Sequence, residues 1–270
     1  MGTWLSDLQA DFYLNFIQDD RWRYLFTGLG NTLTITFFAL IIGVVIGVVV
    51  AIVRSSHDKI IAEMRPGPAR VLLKVANAIC QVYLTVFRGT PVVVQLMIMY
   101  YIIFASSRNG VAVATLAFGV NSGAYVAEIF RSGIMAIDNG QFEAGRSLGF
   151  NYVRAMQYII IPQAFKNVLP ALANEFIVLL KETSVAGYVT VRDLTMGGNI
   201  IRSVTYSAFM PLIAVALIYL VLVMFFSWLV SKLEKKLRNE GHRPLKTKTN
   251  VVWTPAGLNR DQEIKEDAHE

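Results

Sequence analysis

The chain is short of charge. Of its 270 residues 16% are charged and 54% hydrophobic, where a soluble domain carries about 25% charged residues. That leaves too little polar surface to cover a fold in water, which excludes disorder and an ordinary cytosolic enzyme. Lipid is the remaining solvent. Cysteine and histidine are equally scarce. The single Cys80 excludes an internal disulfide. His57, His242 and His269 lie far apart, and no two fall at metal-ligand spacing. There is no Gly-Lys pair, so the chain has no phosphate loop of the kind that ends in Gly-Lys-Ser or Gly-Lys-Thr. The first 20 residues lack a basic stretch followed by an early apolar one, so no cleavable signal is expected. The net charge of +6 is expected at the cytoplasmic lipid surface of a membrane protein, with no nucleic-acid partner.

What is present is a set of long apolar runs. A spanning helix needs about 20 mostly apolar residues. Thr32 to Val53 and Phe209 to Val230 each give 22 without a charge. Val111 to Phe130 carries only Glu128, and Val168 to Val189 is interrupted by Glu175, Lys181 and Glu182. Pro91 to Ala105 is shorter, at 15 residues, and is expected to borrow length from the amphipathic stretch Val71 to Phe87 across a break at Arg88-Gly89-Thr90-Pro91. With the N-terminus outside, the inner segments as far as residue 248 hold sixteen Lys and Arg and the outer ones five. Lys and Arg collect on the cytoplasmic side. The expectation is therefore an all-α integral membrane protein with five transmembrane helices, N-terminus outside and C-terminus cytoplasmic.

Small residues recur every fourth position, at Gly43, Gly47 and Ala51 and at Gly119, Gly123 and Ala127. Such stripes let helix backbones approach closely in lipid, within one subunit or between two. Polar residues inside the runs are costly, about 2.5–3.5 kcal/mol for a charge near mid-bilayer by insertion scales. Asn121, Tyr125 and Glu128 share one helical face. Glu128 is either a functional group or a structural partner of Arg131. Lys181-Glu182-Thr183-Ser184 falls near the middle of its run and Gln95 near the middle of the short one. Gln95, Asn121, Glu128, Glu182, Thr183 and Ser184 are the candidates to line a cavity for a small polar solute.

Residues 131–167 separate the third and fourth of these five runs along the chain, with about thirty of them expected in the cytosol. The sequence Gly140-Gln141-Phe142-Glu143-Ala144-Gly145-Arg146-Ser147-Leu148-Gly149 predicts a short helix with a glycine stop. A second helix then follows from Phe150 and ends before Pro162. Ala144 and Gly145 admit a close neighbour, Glu143 and Arg146 can set polar contacts, and Phe142, Leu148 and Phe150 are apolar groups in want of cover. This segment is either a docking helix for a cytosolic protein or an intramolecular cap.

Glu143-Ala144-Gly145, Gly149 four residues on, and Ile159-Ile160-Ile161-Pro162 after nine more resemble the EAA loop of bacterial ABC importer permeases, with Gly145 and Ile161 as small departures. Phe87-Arg88-Gly89-Thr90-Pro91 with Gln95, the segment Ser122 to Arg131, Gly140-Gln141 and Lys181-Glu182-Thr183-Ser184 resemble the polar amino acid permeases, of the histidine, glutamine and arginine type. The resemblance covers roughly residues 28–235. It implies the type I ABC importer permease fold in the bacterial cytoplasmic membrane, with a translocation subunit that is not itself an enzyme. ABC ATPase subunits would hold the ATP and Mg, an extracytoplasmic binding protein would deliver a polar amino acid, with the cationic arginine, lysine and histidine among the candidates, and a second permease copy or paralogue would complete the membrane part. Gln141, Glu143, Ala144, Gly145, Arg146, Gly149 and Pro162 would carry the coupling to the ATPase.

The domain expectation is an interfacial or leader segment over 1–27, a permease domain over 28–235 with a cytoplasmic coupling loop at about 136–165, and a polar cytoplasmic tail over 236–270. Two rivals stand beside this reading. An ion-coupled secondary transporter would use Glu128 or Glu182, and would show internal repeats. An integral membrane enzyme would need a nucleophile motif or a metal set.

Overall fold

A computed structural model describes residues 2–62 and 64–241, and among these the regular structure is helical throughout. The elements are α1 (Gly2–Phe12), α2 (Trp22–Ile60), α3 (Pro68–Gly89), α4 (Val92–Ile98), α5 (Gly110–Met135), α6 (Asn139–Ser147), α7 (Tyr152–Ala155), α8 (Ile161–Glu182), α9 (Leu194–Thr205) and α10 (Phe209–Gly241). The chain divides into two units at Leu233, and the helices packed around one another belong to the first. Among the described residues, four helices are long and apolar enough to cross a membrane: Trp22–Ile60, Pro68–Gly89, Gly110–Met135 and Phe209–Leu237. A shorter apolar helix covers Val92–Ile103. The expected tail beyond residue 241 lies outside the described residues.

The centre is a parallel pair, α2 and α5. Their small-residue stripes face each other within this one chain. A Cβ built on Gly47 would lie 2.6 Å from Val126 Cγ1 and 2.8 Å from the Ala127 nitrogen, and one on Gly123 would lie 3.0 Å from Ile46. The stripes are thus consumed by packing inside the subunit. Ile35, Ala39, Leu96, Phe118 and Leu179 complete the core around the pair.

The Gly-Pro break forms where the residue types demand it. α3 ends at Gly89, Thr90 and Pro91 are extended, and α4 starts at Val92. Gln95 closes the break by donating from Nε2 to Phe87 O (3.0 Å), Thr90 O (3.0 Å) and Thr90 Oγ1 (2.8 Å). These bonds satisfy carbonyls that a helix end leaves open.

Two expectations need correction. The helix after the glycine stop does not finish before Pro162. It passes from α7 through a π turn at Met156–Ile160 into α8, with Pro162 in its first turn. Proline is tolerated there because the π turn has already broken the regular i→i−4 ladder: Ile161 N bonds Met156 O, five residues back. The run Val168 to Val189 is also not one helix. α8 stops at Glu182 and Thr183–Val189 is 3₁₀, so Lys181-Glu182-Thr183-Ser184 sits at a helix end and not mid-span. The Thr183 hydroxyl donates to Leu180 O at 2.8 Å and tightens that end.

α9 is capped by Asp193, whose carboxylate accepts from Thr195 N (2.9 Å) and Met196 N (3.1 Å). Burial pushes this carboxyl above its usual range, and the backbone N–H bonds oppose the shift. The leader is helical and ends in contact with α9: Thr205 Oγ1 donates to Asn15 Oδ1 at 2.8 Å, and Phe16 packs with Leu25, Leu194 and Ile201.

A candidate solute cavity and a candidate coupling helix

The face shared by Asn121, Tyr125 and Glu128 on α5 divides into two sites. Asn121 is buried and donates from Nδ2 to Gln95 Oε1 at 2.8 Å and to Phe87 O at 3.3 Å. Gln95 and Asn121 therefore brace the break between α3 and α4, and their amides are engaged within the chain. Tyr125 and Glu128, one and two turns further, open into a cavity of about 530 Å³ that is also lined by Arg88, Ser132, Asn167 and Glu175. That volume falls in the range of small-molecule sites.

The cavity carries both signs of charge. Arg88 reaches Glu128 Oε2 at 3.6 Å and lies 5.8 Å over the Tyr125 ring. Arg131 reaches Glu128 Oε1 at 3.6 Å and Asp58 at 3.2 Å. Glu128 pairs with Arg131 and also lines the cavity. Glu175 comes from α8, and the Ser122 hydroxyl donates to its Oε1 at 2.8 Å.

The other candidates lie elsewhere. Glu182 is half-buried two turns beyond Glu175, roughly 10 Å along the axis. Thr183 is buried. Ser184 lines a separate cavity of about 300 Å³ with Tyr188, Thr195 and Asn199. Arg88, Glu175 and Asn167 were not among the expected lining residues. The spacing Asn167, Ala171, Glu175, with small or polar groups one turn apart on one face, is the signal that points to two of them.

The α6 segment is built as its residue types predict. Asp138 caps it by accepting from Gly140 N at 2.7 Å. It closes with paired bonds from Phe150 N to Gly145 O (3.0 Å) and Gly149 N to Arg146 O (2.9 Å), with Gly149 at φ +83°. Gln141, Glu143, Ala144, Arg146 and Gly149 are exposed and Gly145 is buried, where a Cβ would lie 2.8 Å from Ile159 Cδ1. The Gln163 amide, next to Pro162, donates to Gln141 Oε1 at 3.4 Å. Of the apolar groups expected to want a partner, Phe142 already has Tyr152 at 5.5 Å and Lys59 over its ring at 5.1 Å, and Phe150 has Tyr158 at 6.4 Å. Leu148, 75% exposed, does not.

Residues 60–239 match the sequence model of the binding-protein-dependent transport system inner membrane component. The chain belongs to that family. It is 36% identical over 219 residues to the arginine transport system permease protein ArtQ of Bacillus subtilis, covering 80% of this chain and 93% of the relative. It is 34% identical over 168 residues to the glutamine transport system permease protein GlnP of Escherichia coli, covering 61% and 77%. The solved structure of an amino acid ABC transporter with histidines aligns at a TM-score of 0.70 and 42% identity over 79% of this chain and 94% of that one. Members of this permease family are the translocation subunits of ABC importers in the bacterial inner membrane, and ATP hydrolysis resides in separate ATPase chains. The type I importer permease fold therefore stands, and the ion-coupled transporter and the membrane enzyme are set aside.

Proposed function

We propose that this permease moves a polar amino acid through the cavity between α5 and α8, with Arg88 receiving the carboxylate and Glu128 and Glu175 the ammonium group. The single observation that carries this reading is the set of opposite charges around one cavity of about 530 Å³. Glu182 is proposed as a further acid on the outer part of the path, and Ser184 as a hydroxyl near its outer end. Gln95, Asn121 and Thr183 act by holding the helix ends and breaks that shape it.

In this reading five spans cross the bilayer with the N-terminus outside, so that α6 lies on the basic, cytoplasmic side. Gln141, Glu143, Ala144, Gly145, Arg146 and Gly149 form the face that enters a groove of the ATPase, and Pro162 fixes the return of the chain into α8. A second copy or a paralogue completes the membrane part, the partner ATPases hold ATP and Mg, and an extracytoplasmic binding protein delivers the solute. The ATPase states alternate the permease because each favours a different arrangement of α6, and only such a difference in affinity can shift the equilibrium.

The test is reconstitution of the chain with its ATPase and binding protein in proteoliposomes, followed by ATP-driven uptake of a panel of labelled L-amino acids. Glu143→Lys is expected to reduce ATPase co-purification about tenfold, since it reverses a charge at the proposed contact, while insertion is kept. Unchanged co-purification and uptake would remove α6 from the coupling role. A cysteine at Gly140, in a Cys80→Ser background, labelled from the cytoplasmic side only is the expected orientation.

A further inference from the structure

A second cavity, of about 480 Å³, adjoins the first and is lined by Arg54, Gln81, Leu84, Thr85, Arg88 and Gly89. Arg88 belongs to both cavities. On α3 the residues Asn77, Gln81, Thr85 and Arg88 follow at helical spacing and share one face, while Val75, Ile79, Val82 and Val86 lie exposed on the opposite one. α3 therefore turns a polar stripe toward the end of α2. The described lining holds two guanidinium groups and no carboxylate.

Arg54 has an unfilled need. Its Nε is buried and finds no hydrogen-bond acceptor among the described residues, and no ion pair joins it to a described acid. A charged donor left without an acceptor away from water is costly. Arg88 reaches Glu128 only at 3.6 Å, and a guanidinium has five N–H donors in a fixed fork. Both guanidinium-bearing side chains border one cavity. The chemistry that satisfies them is an oxyanion, and a carboxylate is the planar partner that a guanidinium fork fits.

We propose that Arg54 and Arg88 form a second, inner subsite for the carboxylate of the carried amino acid. Arg88 holds that carboxylate in the first cavity and shares it with Arg54 in the second, so the solute moves toward the basic end of α2 without its anionic group losing a cationic partner. This rests on the amino-acid reading above.

The test is equilibrium binding of L-arginine and L-glutamine to the chain–ATPase complex in nanodiscs, beside their decarboxylated counterparts agmatine and 4-aminobutanamide. Arg54→Gln is expected to weaken binding of whichever amino acid the wild type takes by about tenfold or more, the loss of a charge-assisted pair. Binding of the decarboxylated counterpart is expected to stay unchanged, and Arg54→Lys to recover most of the loss. A wild type that binds either amino acid with Arg54→Gln indistinguishable overturns the subsite alone. Equal weakening of the decarboxylated counterpart also overturns it, because the carboxylate would then not be the group recognised. Retention of anionic phospholipid that Arg54→Gln abolishes, with amino-acid binding intact, overturns it in favour of a headgroup phosphate. A wild type that binds no amino acid overturns the subsite and the amino-acid reading together.

Discussion

Gly149 offers the cleanest test of the α6 geometry. Its φ is +83°, a left-handed conformation that costs an L-residue about 1–2 kcal/mol. A Cβ there would meet no atom within 4 Å, so packing adds nothing and the penalty is purely one of backbone. Gly149→Ala should carry that penalty, Gly149→Val more, because branching at Cβ restricts the backbone further. Gly149→Asn should carry the least, since asparagine also ends helices in this conformation. What the penalty opposes is the paired closure from Phe150 N to Gly145 O and from Gly149 N to Arg146 O. If the ATPase binds only the closed helix, about 1–2 kcal/mol lowers its apparent affinity about 5–30-fold. A titration of ATPase onto solubilised permease, read by pull-down or fluorescence anisotropy, should rank the variants as wild type, Asn, Ala, Val. The unfolding temperature of the membrane part should hardly move, because α6 is an exposed surface helix. Equal affinity for the Val and Asn variants would refute the reasoning.

Two further outcomes follow from the same geometry. Glu128→Gln removes a charge that faces Arg88 and Arg131 at 3.6 Å each; uptake is expected to fall about tenfold, the worth of one charge-assisted bond, with ATPase binding kept, and wild-type uptake would remove Glu128 from the cavity's chemistry. Gly28→Ala sets a methyl 2.7 Å from the Asp193 carbonyl carbon and 2.9 Å from Leu194 Cα. Both are backbone atoms, so α9 must shift at a cost of about 1–3 kcal/mol, and a lower unfolding temperature in detergent is the readout.

Local chemistry was legible in the sequence. The Gly89–Pro91 break and the Gly149 stop each depend on one or two residue types at fixed offsets, and each forms where those residues stand. The small-residue stripes were legible as packing surfaces, but their partner was not, since Gly47 and Val126 are joined only by the fold. The end of α8 escaped notice because apolar residues continue past Glu182 and hydropathy alone does not separate an α-helix from a 3₁₀ turn. The cavity escaped for a similar reason. Arg88 stands in a break segment and Glu175 reads as an interruption of an apolar run. What makes them site residues is Glu128 for the first and Ser122, 53 positions away, for the second.

The charged groups around the cavity fall into two physical kinds. Glu175 is buried and held by the Ser122 hydroxyl at 2.8 Å, a short bond between α5 and α8 that fixes the two helices against each other. The chain Asp58–Arg131–Glu128–Arg88 is different. Its links are 3.2, 3.6 and 3.6 Å, and its side chains are 31–44% exposed. Pairs of this length and exposure contribute little to stability each, so they can be broken and remade at small cost. Yet they run without a gap from the end of α2 through α5 to the rim of the cavity, and Lys59, beside Asp58, lies over Phe142 of α6. A translocating subunit needs both kinds. On the proposed function, the rigid bond keeps the walls of the solute site together, and the exchangeable chain would let a displacement of α6 reach Arg88 without first melting a helix. Arg88 ends that chain and borders the cavity that Glu175 also lines, so a solute in the proposed site would meet both kinds of group.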